Sequence, residues 1–562
     1  MKKFSKILMS GLAVLCLWAC SDEANEPQQT NAKNDVYVEF SVKILQGDGA
    51  RSETTDEDNN GSNSSDGSEV GQGYENKVSQ ILLVLTKADG TYLTSETLAV
   101  TPNTNGNYPN NKVALDRSAM ESYTEGVIYA YAFCNPVSAI TTGNLITSSH
   151  TLAEKPTLRN NNEIWKNDAF LMSNHHLCNA ANSSATTRWD WGSYTESQPL
   201  NLGTIRVERS CARFDFKSNK QPDTETEDNT YTLETTNNLK VRLTDMVMVN
   251  ISKNFYHLRR VSDDGLPDGS NFALCGTETP NNYVVDTDAA NKEGYTADPI
   301  SWSGKGANFY NNFEAYKEWW NDFTSLTSLT DDDKDDSWNN NEDPKRKGYK
   351  IWRYTTENTI PGIANQKNGI STGVVFKGKL LLDNDLKNRY GITNTDNKIY
   401  VYKNILYGTW DKVKQAAQAP NADPDLRAAY DQVGATITAN SKPGQAGFTT
   451  FSPNATGEYE MLYFYWNRHN DNGDNNKMGT MEFAVVRNNV YKLMVNNIKG
   501  YGHPLPWDPT TPPTDPDPDP NPDPDPDPDP IDPDNPDERN DLYIEVNVQV
   551  LPWVVRINNI DF

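Results

Sequence analysis

Two stretches near opposite ends of the chain alternate apolar and polar side chains residue by residue. Val36, Val38, Phe40, Val42 and Ile44 alternate with Tyr37, Glu39, Ser41 and Lys43. Leu542, Ile544, Val546, Val548 and Val550 alternate with Tyr543, Glu545, Asn547 and Gln549. Successive side chains of a strand point to opposite faces, so a period of two predicts a half-buried β-strand at each end. Two permanent strands of separate sheets would carry such patterns. The shared pattern also fits a single groove that accepts either strand, the second arriving from a neighbouring copy, so that the chain polymerises by strand exchange.

Between these ends the chain reads as mostly β. Strands are predicted over Val78–Leu85, Gly126–Phe133, Ile205–Phe216, Leu239–Val249, Phe255–Arg260, Gly373–Leu382, Tyr459–Trp466, Met481–Val486 and Asn489–Val495. Lys87-Ala88-Asp89-Gly90 is a hairpin turn. The stretch Val207-Glu208-Arg209-Ser210-Cys211-Ala212-Arg213 is unusually charged for a sheet, and the polar break that follows at Lys217–Thr230 places a domain boundary. Two helical interruptions are expected. Phe309, Phe313, Tyr316, Trp320 and Phe323 recur at helical spacing, and Asp423-Pro424 supplies a cap and a first-turn proline before Leu426–Val433.

From Pro504 to Asp541 prolines recur, alternating with aspartate over Asp515–Pro530. Proline fixes φ and like charges repel, which predicts an extended polyproline-II arm. At about 3.1 Å per residue, such an arm reaches on the order of 100 Å, enough to deliver the last strand to another molecule.

At the other end, Lys2, Lys3 and Lys6 precede an apolar run, Ile7–Trp18, with the character of a secretory signal. Leu17-Trp18-Ala19-Cys20 resembles a bacterial lipobox, which implies a lipid, palmitate-bearing anchor on Cys20 and a mature chain beginning there. After the first strand, Gly47-Asp48-Gly49-Ala50-Arg51-Ser52 opens an acidic Ser/Asn/Gly-rich segment whose composition predicts exposure to proteases. A cut between Arg51 and Ser52 would separate the lipid and the strand Val36–Ile44 from the rest of the chain.

The length of 562 residues allows two or more domains. With 36% hydrophobic and 10% aromatic residues, the composition is that of folded protein despite a mean hydropathy of −0.75. A net charge of −26 argues against nucleic acid or an anionic membrane surface as partner. The chemistry of known sites is sparse. No P-loop, GxSxG, HExxH or dinucleotide-binding turn is present. His175-His176-Leu177-Cys178 offers metal ligands but, lacking a second cluster, reads as an exposed loop, and Asp471-Asn472-Gly473-Asp474-Asn475 offers oxygen ligands for calcium but lacks the closing Glu of an EF-hand and reads as a plain hairpin turn. Nothing singles out a catalytic residue, a metal or a cofactor, and no enzyme is expected.

Taken together, the lipobox, the arginine in the loop after the first strand, Val207–Arg213, Val485-Val486-Arg487-Asn488-Asn489-Val490-Tyr491, the Asp-Pro tract and Val550-Leu551-Pro552-Trp553 resemble the fimbrillins of Bacteroidales. The strongest likeness is to the shaft subunit of the minor fimbrium, of the type V pilus class. The resemblance implies two β-sandwich domains of transthyretin-like topology with short helices, an extended Pro/Asp arm and a C-terminal donor strand. It divides the chain into a lipoprotein signal (1–20), a propeptide with the exchangeable first strand (21–51), two sandwich domains (52–218 and 219–503), the arm (504–541) and the donor strand (542–562). It further implies an outer-membrane lipoprotein precursor of a Gram-negative bacterium, cut at Arg51 by an Arg-specific protease. The cut chain joins a surface fimbrium that supports adhesion and biofilm formation. Its partners would be other copies of itself, accessory, tip and anchor subunits, and surface receptors of host or bacterial origin. A tip or accessory subunit would share this layout. Two readings come from other classes: a surface glycan-binding lipoprotein, since Trp and Tyr are abundant and stack on sugars, and a surface hydrolase, which would need an acid pair that nothing in the sequence marks.

Overall fold

The computed structural model describes residues 35–44, 69–152, 163–181, 183–218, 229–234, 238–252, 254–266, 272–279, 281–287, 320–323, 349–361, 371–393, 397–438, 441–470, 479–505 and 544–554, with backbone alone at 69–70, 234 and 545–554. The fold is mostly β. In chain order, strands β1 (Asp35–Ile44), β2 (Gln80–Lys87), β3 (Tyr92–Ala99), β4 (Asn107–Asp116), β5 (Ile128–Cys134), β6 (Met172–Asn174) and β7 (Leu200–Arg209) join in one sheet in the order β3-β2-β5-β6-β7-β1-β4. The short strand Cys178–Asn179 pairs with β5 as an eighth member. The first strand in sequence is thus an interior strand of the sheet, brought there by its alternating apolar face.

Strand β7 shows how sequence sets register. Leu200 and Leu202 point into the core, then Ile205 and Val207 do, so the inward phase shifts by one residue. The shift is a bulge at Gly203, opposite Phe40, where φ is +78°. Nothing stands within 4 Å of where a Cβ would lie there, so it is the backbone conformation that calls for glycine. Both faces of β5 are covered. Ala130, Ala132 and Cys134 face the main core, while Tyr131 and Phe133 pack with Val84, Leu258 and Cys275 in a second cluster.

The second half forms a sandwich of two sheets. Strands β8 (Ala212–Phe216), β9 (Thr230–Glu234), β10 (Leu239–Val249), β11 (Lys350–Thr355), β12 (Gly373–Leu381), β13 (Glu460–Trp466), β14 (Asn489–Ile498) and β15 (Ile544–Val554) supply it. One sheet runs Glu69–Val70, β15, β14, β8, β11; the other runs β9, β10, β12, β13, His503–Pro504, with Asn321–Asp322 beside β10. Phe214, Trp352, Tyr491, Leu493 and Ile544 of the first share one core with Val241, Leu243, Phe376, Leu462 and Phe464 of the second.

An excursion from this sandwich carries helices α1 (Trp410–Ala417) and α2 (Pro424–Val433). The Asp423 side chain accepts from Asp425 N at the head of α2, with Pro424 in the first turn, as the sequence predicts. Trp410, Val413, Leu426, Tyr430 and Phe448 form its own small core.

Three strand expectations are revised. The single strand expected over Ile205–Phe216 is two, β7 and β8, in different sheets, with the chain crossing between them at Ser210–Cys211. Residues Met481–Val486 make only an isolated bridge, Asn358 to Val485, and Met481 has φ +60°. Phe255–Arg260 resolves into two short strands, Asn254–Tyr256 and Arg260–Ser262. Of the aromatic stripe from Phe309, only Trp320 and Phe323 lie within the described residues; Phe323 is buried in the core of the sandwich.

Candidate assembly site

The slot held by β1 lies between two strands. On one side β1 runs parallel to β7, with Val38 opposite Leu200, Val42 opposite Ile205 and Ile44 opposite Val207. On the other it runs antiparallel to β4, with Val36 opposite Leu115 and Val42 opposite Tyr108. Val36, Val38, Val42 and Ile44 are fully buried and Phe40 nearly so, whereas Tyr37, Glu39, Ser41 and Lys43 remain half-exposed. Backbone bonds close both ends: Tyr37 N donates to Tyr194 O at 3.1 Å and Ile44 N to Gly106 O at 2.8 Å. Burial of each apolar side chain is worth about 1.5–3 kcal/mol. Without β1, the sheet would keep a trough flanked by two unpaired ladder edges, which is a seat for one strand.

The terminal strand has a different seat. β15 lies antiparallel along the whole of β14, from Ile544 opposite Ile498 to Pro552 opposite Asn489. Val546, Val548 and Val550 stand opposite Val495, Leu493 and Tyr491, and Ile544 is buried in the sandwich core. On its other side β15 pairs, among the described residues, with Glu69 and Val70, which run parallel to Trp553 and Val554. Leu542, Cys20, Arg51 and Ser52, the remaining residues singled out by the sequence, lie outside the described residues, as do the Asp-Pro arm beyond Leu505 and the candidate calcium loop.

Charged side chains link the two seats across the Ser210–Cys211 crossing. Glu75, wholly buried, accepts from Arg213 Nη1 at 3.1 Å, from the Tyr354 hydroxyl and from Gln72 N at 2.5 Å. Arg213 also grips Asp215 through Nε and Nη2, both at 2.9 Å. Arg209 donates to the Glu75 carbonyl at 3.2 Å, to Asn488 Oδ1 at 3.1 Å and to Asn76 Oδ1. Arg487 forks onto Glu357 at 2.7 and 2.6 Å and reaches the His257 carbonyl at 3.1 Å. Burial, followed by the Glu75 charge, lifts the Tyr354 phenol well above its usual range, so it stays a donor. Burial also lowers Arg209, to about 10, which still leaves it charged at neutral pH. Apart from Arg213–Asp215 and Gln72–Glu75, these pairs span well over a hundred residues of sequence. The charge of Val207–Arg213 was the only sequence signal for them, and it did not name their partners.

Among the described residues, the histidine motif gathers no third ligand. His175 is buried with Nε2 3.8 Å from Glu208 and is held neutral, first by burial and then by Arg259. Cys178 Sγ donates to Leu202 O at 3.3 Å. Among the described residues no three His, Cys, Asp or Glu side chains converge to hold a metal ion. Cys134, Cys178, Cys211 and Cys275 are free thiols. No helix among the described residues is long and apolar enough to cross a membrane.

Similar solved structures include a protein of Parabacteroides distasonis described as a cell adhesion protein, at 11% identity and TM-score 0.38, covering 94% of this chain and 99% of that one. A fimbrilin of Porphyromonas gingivalis matches at 12% identity and TM-score 0.37, covering 94% of this chain and 100% of that one. The tip fimbrial protein of the same species, C-terminally truncated, matches at 10% identity and TM-score 0.33, covering 92% and 100%. No curated protein sequence matches the chain. Residues 457–559, which run from the start of β13 past the end of β15, match the family described as major fimbrial subunit protein type IV, fimbrillin, C-terminal. Over that C-terminal region the chain is similar to the fimbrillins.

Proposed function

We propose that the protein is the shaft subunit of a cell-surface fimbrium. It is exported as a lipoprotein through Cys20, cut between Arg51 and Ser52 by an Arg-specific protease, and polymerised when the terminal strand of one copy takes the place of β1 in another. The observation that carries this reading is the position of β1. It is an interior strand with five inward apolar side chains, and its loss would leave a trough that a strand of the same alternation fills. The terminal strand has that alternation. Head-to-tail exchange has no closing symmetry and yields an open filament. Accessory, tip and anchor subunits would join by the same seat, and adhesion would follow from display on the cell surface.

The reading predicts that Arg51→Ala keeps the first strand and stays monomeric. The unaltered chain, once treated with an Arg-specific protease, yields an N-terminus at Ser52 and SDS-resistant ladders. Ladders of equal extent from the uncut Arg51→Ala chain would overturn it.

A further inference from the structure

The segment Glu69–Asn76 is tied to the C-terminal sandwich at both of its ends. Glu69 and Val70 extend the sheet beyond β15, pairing with Trp553 and Val554 on the edge that β14 leaves open. Glu75 is buried between Arg213 of β8 and Tyr354 of β11, and the Glu75 carbonyl accepts from Arg209 at 3.2 Å. The turn between these ties is closed on itself. Gln72 N donates to Glu75 Oε2 at 2.5 Å and Asn76 Nδ2 to Gly71 O at 3.3 Å, so the ladder pair sits a short, fixed distance from its anchor. Lacking this segment, β15 would be an edge strand, with one side of its backbone facing water.

We propose that Glu69–Asn76 is a strap that keeps the terminal strand on its own subunit, with Glu75 as its buried anchor, and that β15 must leave the strap before another copy can receive it. The proposal rests on the reading of β15 as the exchanged strand, but the hold of the strap is measurable within one copy. Two substitutions loosen it at different points. Val70→Pro disturbs the ladder at a sheet edge, where proline is tolerated, and Glu75→Gln removes the charge that Arg213 grips.

In the full chain, amide hydrogen exchange over residues 544–554 is expected to rise at least tenfold in both variants, while residues 35–44 keep the rate of the unaltered protein. Unchanged exchange over 544–554 in a folded variant overturns the strap. A second arm does not depend on weakening the fold. Val70→Cys with Val554→Cys, in a Cys178→Ser background, joins two residues in register. Once cut behind Arg51, the oxidised protein is expected to stay monomeric and to assemble on addition of reductant. Assembly of the oxidised form at the rate of the reduced form contradicts the proposal. If the variants speed exchange but no form of the protein assembles, the strap stands and the strand-exchange reading falls.

Discussion

Strand β1 has a ladder on both sides, parallel to β7 and antiparallel to β4, whereas β15 has one long ladder to β14 and a two-residue pairing on its other side. Both carry the same alternation of apolar and polar residues. The difference in seating separates what each can do. An interior strand with five buried side chains leaves only at the cost of its whole core contact, so its release calls for a covalent cut and a replacement. A strand near the sheet edge can be stripped from one side at much smaller cost. On the proposed function, the two ends of the chain are matched in pattern and unequal in hold, which gives exchange a direction.

The largest expected effects test that inequality from each side. Phe40→Ala removes the central side chain of β1 and is expected to cost about 3–5 kcal/mol, read by denaturant unfolding as a loss confined to the first sheet. Arg213→Met leaves Glu75 buried without its main charged partner and is expected to cost about 3–5 kcal/mol, loosening the seat of β15 instead. The double variant Glu75→Gln/Arg213→Met should recover much of that loss. If Phe40→Ala and Arg213→Met destabilise the same unfolding unit, the comparison of two separate seats fails.

These targets differ in how far the sequence exposes them. The β1 face is written in local alternation, and the strand Leu239–Val249 and the cap at Asp423-Pro424 are likewise local signals that the fold keeps. The split of Ile205–Phe216 is not local. Ser210–Cys211 stays buried as the chain bends from one sheet to the other; no glycine or proline marks the bend, and Arg209 and Arg213 find acceptors contributed by Glu75 and Asn488, far away in sequence. Met481–Val486 reads as a strand by propensity, but Glu482 draws its carboxylate to Gly479 N and Arg468, both at 2.5 Å, and tertiary contacts fold the stretch into a turn. For the assembly site, the sequence shows which strands match in pattern. Which seat each occupies depends on pairing across the whole chain.

A smaller effect sits at the end of the β1 slot. Glu208 is buried on β7, 3.3 Å from Arg259, and burial raises it to about 7 even though Arg259 and Arg487 pull it back. Its unfolded counterpart titrates near 4.3. A raised carboxyl contributes its full stability below about pH 4.3 and loses it as pH climbs through about 7, a loss on the order of 3 kcal/mol. Stability of the unaltered protein relative to Glu208→Gln should therefore fall across that window and level off above it, as measured by unfolding at a series of pH values. A flat difference would remove Glu208 from the energetics of the slot. The smallest effect is at Gly203, where alanine meets a φ of +78° in open space. Gly203→Ala should cost about 1 kcal/mol, and amide exchange should show the disturbance at Phe40, opposite the bulge, and not in β15.

The most direct measurement takes a chain that starts at Ser52, with and without Leu542–Phe562, and follows both by electron microscopy and SDS-resistant laddering. The account predicts filaments or ladders from the longer chain and monomers from the shorter. Monomers from both, under conditions where the β1 slot stands open, would contradict exchange of the terminal strand into that slot.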